Sequence, residues 1–128
     1  MSEKLCALKK IGGGTLKETT LWTNPSPTSS MSASTQPNLS DSISNYTFIK
    51  FTARVSTSDA TSFSAIMSVE DFKSTENTDI RFSMATLNYV RILRYMSNTK
   101  LNISGASSVG GTSTDNTKII ITQILGMK

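Results

Sequence analysis

From residue 46 onward apolar and polar side chains alternate with a period of two, the pattern of strands that bury one face. In residues 46–55, Ile49, Phe51, Ala53 and Val55 point one way and Lys50, Thr52 and Arg54 the other. Phe63, Ala65, Met67 and Val69 form the next inward set, opposite Ser64, Ser68 and Glu70, and residues 71–78 (DFKSTENT) read as a loop. Ile80, Phe82 and Met84 then alternate with Arg81 and Ser83, and Tyr89, Arg91, Leu93 and Tyr95 oppose Val90, Ile92 and Arg94. Residues 87–95 fit a helical period equally well; their β-branched and aromatic content, between strand-like neighbours, favours a strand. Leu101 and Ile103 mark a short strand before a glycine-rich loop over 105–117. In the last run Ile119, Ile120, Ile121, Ile124 and Leu125 stand almost in series, which suits a central strand or one whose outer face meets another subunit.

The first half is less regular. Residues 15–23 predict a first strand with Leu16, Leu21 and Trp22 as its apolar members. Residues 24–45 hold all three prolines, which bar a central-strand role and predict an extended edge segment where Met31 and Ala33 can pack. Residues 1–11 are a short apolar and basic arm, set off by Gly12, Gly13 and Gly14. The expected organisation is an N-terminal arm with its glycine linker over 1–14 and one domain over 15–128. Seven or eight short strands, turn clusters between them and no convincing helix give an all-β fold, an antiparallel β-sandwich or jelly roll with a short N-terminal arm.

Composition narrows the chemistry. Of 128 residues, 39 are Ser or Thr, and the alternation assigns them to outward strand positions and turns. There is no His, so imidazole bases, Ser-His nucleophiles and the usual zinc sites are excluded, and the chain is expected to be non-enzymatic with no cofactor and no metal. Cys6 stands alone and cannot form an internal disulfide. No apolar run reaches the roughly 18 to 20 residues of a membrane span, and residues 1–11 lack a secretory signal, so no membrane partner is expected.

The net charge of +4 raises the question of nucleic acid, but the 13 Lys and Arg are scattered without a basic run. Arg91 and Arg94 beside Tyr89 and Tyr95 have the composition of a base-stacking patch. A solvated strand face or subunit contact is the simpler reading, and no nucleic acid is expected. Glu70, Asp71, Glu76 and Asp79 offer hard oxygen ligands without the DxDxDG spacing of a calcium loop. Gly12–Gly14 lacks phosphate-loop spacing and reads as a linker. Trp22, the only tryptophan, is either a sugar-stacking platform or, more simply, core or interface packing. In the arm, Leu5, Leu8 and Ile11 recur at three-residue spacing and form an apolar stripe suited to docking on another protein.

Several segments carry a resemblance. The arm LCALKKIGGG, the segment LWTNPSPTSS, the LSD that precedes YTFIKF and the closing ITQILGMK occur in the order found in small phage and prophage structural proteins of Gram-positive gut bacteria. In that group an L-C-x-L arm with a glycine run, L-W-x-N-x-x-P-T-S and a terminal I-x-G-x-K recur, and the similarity spans nearly the whole chain. The resemblance implies a virion component assembled in the bacterial host cytoplasm, with a trimeric β-sandwich head at a fibre tip, on the tail or on the capsid. It transfers no binding residue.

The expected function is therefore a non-enzymatic virion structural protein, a homotrimer anchored to other virion proteins through Leu5, Leu8 and Ile11. Its body would contact host-surface glycan through the polar loops 56–62, 71–78 and 105–117. Two rival expectations stand beside it: a capsid or tail decoration protein without a receptor, and a carbohydrate-binding module.

Overall fold

A computed structural model describes residues 16–83, 88–111 and 113–128. The strands are β1 (Glu18–Thr23), β2 (Phe48–Ser56), β3 (Ser62–Ser68), β4 (Thr78–Ser83), β5 (Asn88–Ser97), β6 (Lys100–Ile103), β7 (Ser107–Ser108) and β8 (Lys118–Met127). They form two antiparallel sheets, one in the order β1-β8-β2-β3 and the other β4-β5-β6 with β7 beside β5. The chain is an all-β sandwich, as the alternation predicts.

In β2 the period of two is literal: Ile49, Phe51, Ala53 and Val55 are buried, while Lys50, Thr52 and Arg54 are half-exposed. β8 is a central strand, hydrogen-bonded to β1 on one side and β2 on the other. Its apolar run is thereby explained on both faces. Ile119, Ile121 and Ile124 belong to the main core, and Met127 packs with Phe48, Leu16 and Ile66 in a second small cluster. Each fully buried Ile or Phe contributes roughly 1.5 to 3 kcal/mol, and β2 and β8 supply six of them, Ile49, Phe51, Ile119, Ile120, Ile121 and Ile124.

Of residues 24–45, which the prolines predict to be an extended edge segment, 35–39 run extended beside β6, while Ile43–Asn45 is a single 3-10 turn. Thr35 exchanges both backbone bonds with Ile103, and Leu39 N–H donates to the Thr99 carbonyl at 2.8 Å. Between them Pro37 accepts from Leu101 N–H at 3.5 Å but has no N–H to return, so the ladder beside β6 is interrupted there. Met31, Leu39 and Ile43 are buried along this path; Ala33 is exposed.

One expectation needs correction. Residues 71–78 are not all loop, because Val69–Ser74 is a short helix, α1. The Ser68 side chain accepts from Asp71 N–H, Glu70 and Asp71 occupy the positive first turn, and Val69 and Phe72 face inward. The signal was a capping pattern, Ser68-x-x-Asp71, followed by an apolar residue. Phe72 lies 5.5 Å from Phe51 and 6.4 Å from Tyr95 between ring centroids, so α1 plugs the gap between the sheets.

At one corner Tyr46 lies against Gly126 so closely that a Cβ there would stand 2.5 Å from Tyr46 Cγ. The Tyr46 hydroxyl donates to Asp41 Oδ2 at 2.9 Å, Asn45 Nδ2 and Ser42 N–H donate to Asp41 Oδ1, and Lys128 Nζ sits 5.2 Å from the ring centroid.

Candidate functional site

β1 ends where Asn24 takes over. Its backbone N–H donates to Thr122 O at 2.8 Å, its Nδ2 to Ile121 O at 3.0 Å, and its Oδ1 accepts from Ser26 N–H at 2.8 Å. The side chain thus closes an Asx turn that throws Pro25 and Pro27 away from the sheet. The chain returns at Met31, whose N–H donates to Asn116 O at 2.9 Å, and runs on to Thr35, where it meets β6.

Between the outward and returning limbs lies an open groove of about 420 Å³. Trp22, Pro25, Met31 and Pro37 supply its apolar surface, and Asn24, Ser26, Ser30, Ser32, Thr35, Gln36 and Asn38 its polar one. Trp22 is half-buried: it packs against the core, as the simpler expectation has it, and also lines the groove. None of these lining residues is ionisable. An indole beside neutral amides and hydroxyls suits a ligand with an apolar ring face and many uncharged hydroxyls, as a pyranose has.

The groove wall is held from inside the sandwich by Arg91 of β5, which belongs to neither a base-stacking patch nor a solvated face. Arg91 is 0 % exposed. Its Nε donates to the carbonyls of Lys118 and Ile119, its Nη1 to Ser104 O at 2.8 Å and its Nη2 to Asn116 O at 2.9 Å. Burial lowers its pKa to about 10, with the Asp115 charge opposing that shift, so it is cationic at neutral pH. The Asn116 carbonyl that takes Arg91 also takes Met31 N–H, which links the buried cation to the groove. Arg91 also grips Ile119 at a φ of 47°, a strained left-handed conformation for a β-branched residue. The signal was present in the strand pattern, which sets Arg91 on the inward side with Leu93.

The other candidates disperse. Leu5, Leu8, Ile11 and the Gly12–Gly14 linker lie outside the described residues. Arg94 is on the face opposite Arg91 and donates to Asn77 Oδ1 at 2.7 Å, while Tyr95 is bonded to Asn98 and packed on Phe72. No base-stacking patch is assembled from these four residues. Glu70 and Asp71 sit in the first turn of α1, Asp79 pairs with Arg81 at 2.9 Å, and no metal-binding group of three acids gathers among the described residues. Of the three polar loops, 56–62 and 105–117 meet where Thr57 N–H donates to Thr117 O at 2.9 Å. Residues 71–78 follow the opposite end of β3, so the three do not form one surface.

A second cavity of about 500 Å³ lies between α1 and the turn at 44–47, lined by Tyr46, Glu70, Lys73 and small residues. Lys73 bonds Ser44 Oγ at 3.1 Å and lies 5.6 Å from the Tyr95 ring centroid, so its charge serves to tie α1 down. No protein-family model matches this chain, and no curated protein matches it.

Proposed function

We propose that the chain is a non-enzymatic bacteriophage virion protein, displayed on the tail or fibre tip, whose sandwich body holds a neutral host-surface glycan in the Trp22 groove. The single observation that carries the glycan reading is the groove itself, an indole wall faced by amides and hydroxyls with no ionisable lining residue. The virion reading is supported by the order of the LCALKKIGGG, LWTNPSPTSS, LSD and ITQILGMK segments. Residues 1–14, with Leu5, Leu8 and Ile11, would join the body to the particle.

Trp22 is the only tryptophan, so titrating the intact chain with host-wall glycan fragments and reading indole fluorescence reports on this groove alone. Saturable quenching, with loss of retention on a glycan array for Trp22→Leu, is the expected result. Failure of the assembled protein to bind host cells or glycan rejects the attachment role. The same groove favours a second reading, a carbohydrate-binding module detached from an enzyme. Copy number in purified particles separates the two, since a module unconnected with a virion is absent from them.

A further inference from the structure

The edges of a β-sheet expose unpaired backbone groups and are templates for another chain unless they are covered, charged or broken. Three of the edges here are managed. Beside β1, Ser40 N–H donates to Leu21 O at 2.9 Å and Ser40 Oγ to Thr20 O at 3.4 Å. β6 is covered by residues 35–39. β4 carries the exposed Asp79–Arg81 ion pair. Among the described residues the remaining edge is β3, with the sequence SFSAIMS: seven residues with no charge, no proline and no glycine.

The register shows which groups it offers. Val55 N–H donates to Thr61 O and Val69 N–H to Thr47 O, and these bonds bracket the pairs Ala53 with Phe63, Phe51 with Ala65 and Ile49 with Met67. Hydrogen-bonded pairs alternate in an antiparallel ladder, so Phe63, Ala65 and Met67 face β2 while Ser62, Ser64 and Ile66 turn their backbone groups outward. Ser62 and Ser64 are exposed.

We propose that β3 pairs with β3 of a second copy of this chain, antiparallel about a twofold axis at Ala65. In that register Ser64 lies opposite Ile66 of the other copy and exchanges both backbone bonds with it, and the symmetric pair repeats the exchange. The edge suits a copy of itself. It bears no charge, so like meets like without repulsion. Each Ile66 meets a serine, so no bulky pair clashes. Ile66 also belongs to the outer cluster with Phe48, Met127 and Leu16, and pairing makes the two clusters neighbours on one eight-stranded sheet.

Light scattering of the full chain tests this against its mass of 13.9 kDa. A particle of two chains is expected. Ser64→Pro removes an outward N–H that β2 does not use, and Ser64→Lys sets charges against the symmetric edge, so each should give a single chain with an unchanged circular dichroism spectrum. If the proline variant misfolds, the lysine variant decides. Amide exchange at Ser64 and Ile66 in the wild type should be about tenfold slower or more than at Ile66 in Ser64→Lys. A monomeric wild type, a dimer that survives Ser64→Lys, or a three-chain particle indifferent to it overturns the proposal.

Discussion

The Tyr46 corner and the Trp22 groove use the same materials, one aromatic ring among Ser, Asn and a tight turn, and come to opposite ends. At the corner the polar groups around the ring turn to one another: the Tyr46 hydroxyl reaches Asp41, Asp41 takes Asn45 and Ser42, and the ring fills the space over Gly126. At the groove the turn directs the chain away from the ring, and the returning limb is fastened further on, at Met31 and Thr35. What separates the closed corner from the open groove in a hydroxyl-rich sandwich is therefore not composition but whether the neighbouring turn closes over the aromatic residue. The corner also gathers Asp41 of the LSD segment, Tyr46, and Gly126 and Lys128 of the closing ITQILGMK segment. Those motif residues describe how the sandwich is pinned, while Trp22 and Asn24 of the LWTNPSPTSS segment line the groove.

The buried cation behind the groove gives the largest expected effect. Arg91→Met removes a guanidinium that serves four backbone carbonyls, of which only Asn116 O keeps the second partner described above, Met31 N–H, a loss of about 3 to 5 kcal/mol. Arg91→Lys keeps the charge but not the fork, and should recover less than half of that. Chemical denaturation measures both. If the comparison is right, any glycan binding by Arg91→Lys weakens as well, because the Asn116 carbonyl also holds Met31.

The corner comes next. Gly126→Ala drives a methyl group into three carbons of the Tyr46 ring, at 2.5, 2.6 and 2.7 Å, and should cost about 1 to 3 kcal/mol. In a Tyr46→Ala background the same substitution should cost little, and the double-mutant cycle isolates the contact. A full cost in both backgrounds would mean that Gly126 is needed for its backbone and not for its lack of a side chain.

A smaller effect should appear in acid. Hydrogen bonds hold the carboxyls of Asp41, Asp59 and Asp115 below the usual carboxylate value, the first chiefly through Tyr46 and the other two through Thr61 and Thr117. A carboxyl with a depressed folded pKa binds fewer protons than the unfolded chain. The stability it confers is complete above the unfolded value, about 3.9, and is lost as pH falls through the folded one. Melting temperatures should accordingly be insensitive to these groups down to about pH 5 and fall below about pH 4. Asp41→Asn should lower the melting temperature at neutral pH and shallow its fall in acid.

How much of this was legible follows from what each segment's pattern reports. Period-two alternation reports burial on one face, and it correctly set Ile49, Phe51, Ala53, Leu93 and Arg91 inward. The run in β8 announced a central strand because burial on both sides removes the polar alternation. Prolines reported an edge, and Pro37 shows why: the missing N–H falls at a position where the ladder needs one. Helix α1 was missed because six residues cannot show a helical period, although the Ser68 cap was visible. The groove was not legible at all. It depends on where residues 24–38 return, which is fixed by bonds from Met31 to Asn116 and from Thr35 to Ile103, partners some 70 to 85 residues away that no local pattern names.

The smallest expected effect on stability is the most decisive for the contrast. Gln36 is exposed, lines the groove, and makes one long side-chain bond, Nε2 to Asn102 Oδ1 at 3.4 Å. Gln36→Ala should change stability by no more than about 0.5 kcal/mol, as for most surface positions. If the groove is a ligand surface, the same substitution removes a neutral donor and acceptor from the glycan and weakens binding several-fold in the fluorescence titration. A groove that is only framework predicts the reverse, a measurable loss of stability with glycan retention unchanged. The contrast with the closed corner survives only if stability and binding part company at Gln36, since at Tyr46 and Gly126 there is no ligand for them to part over.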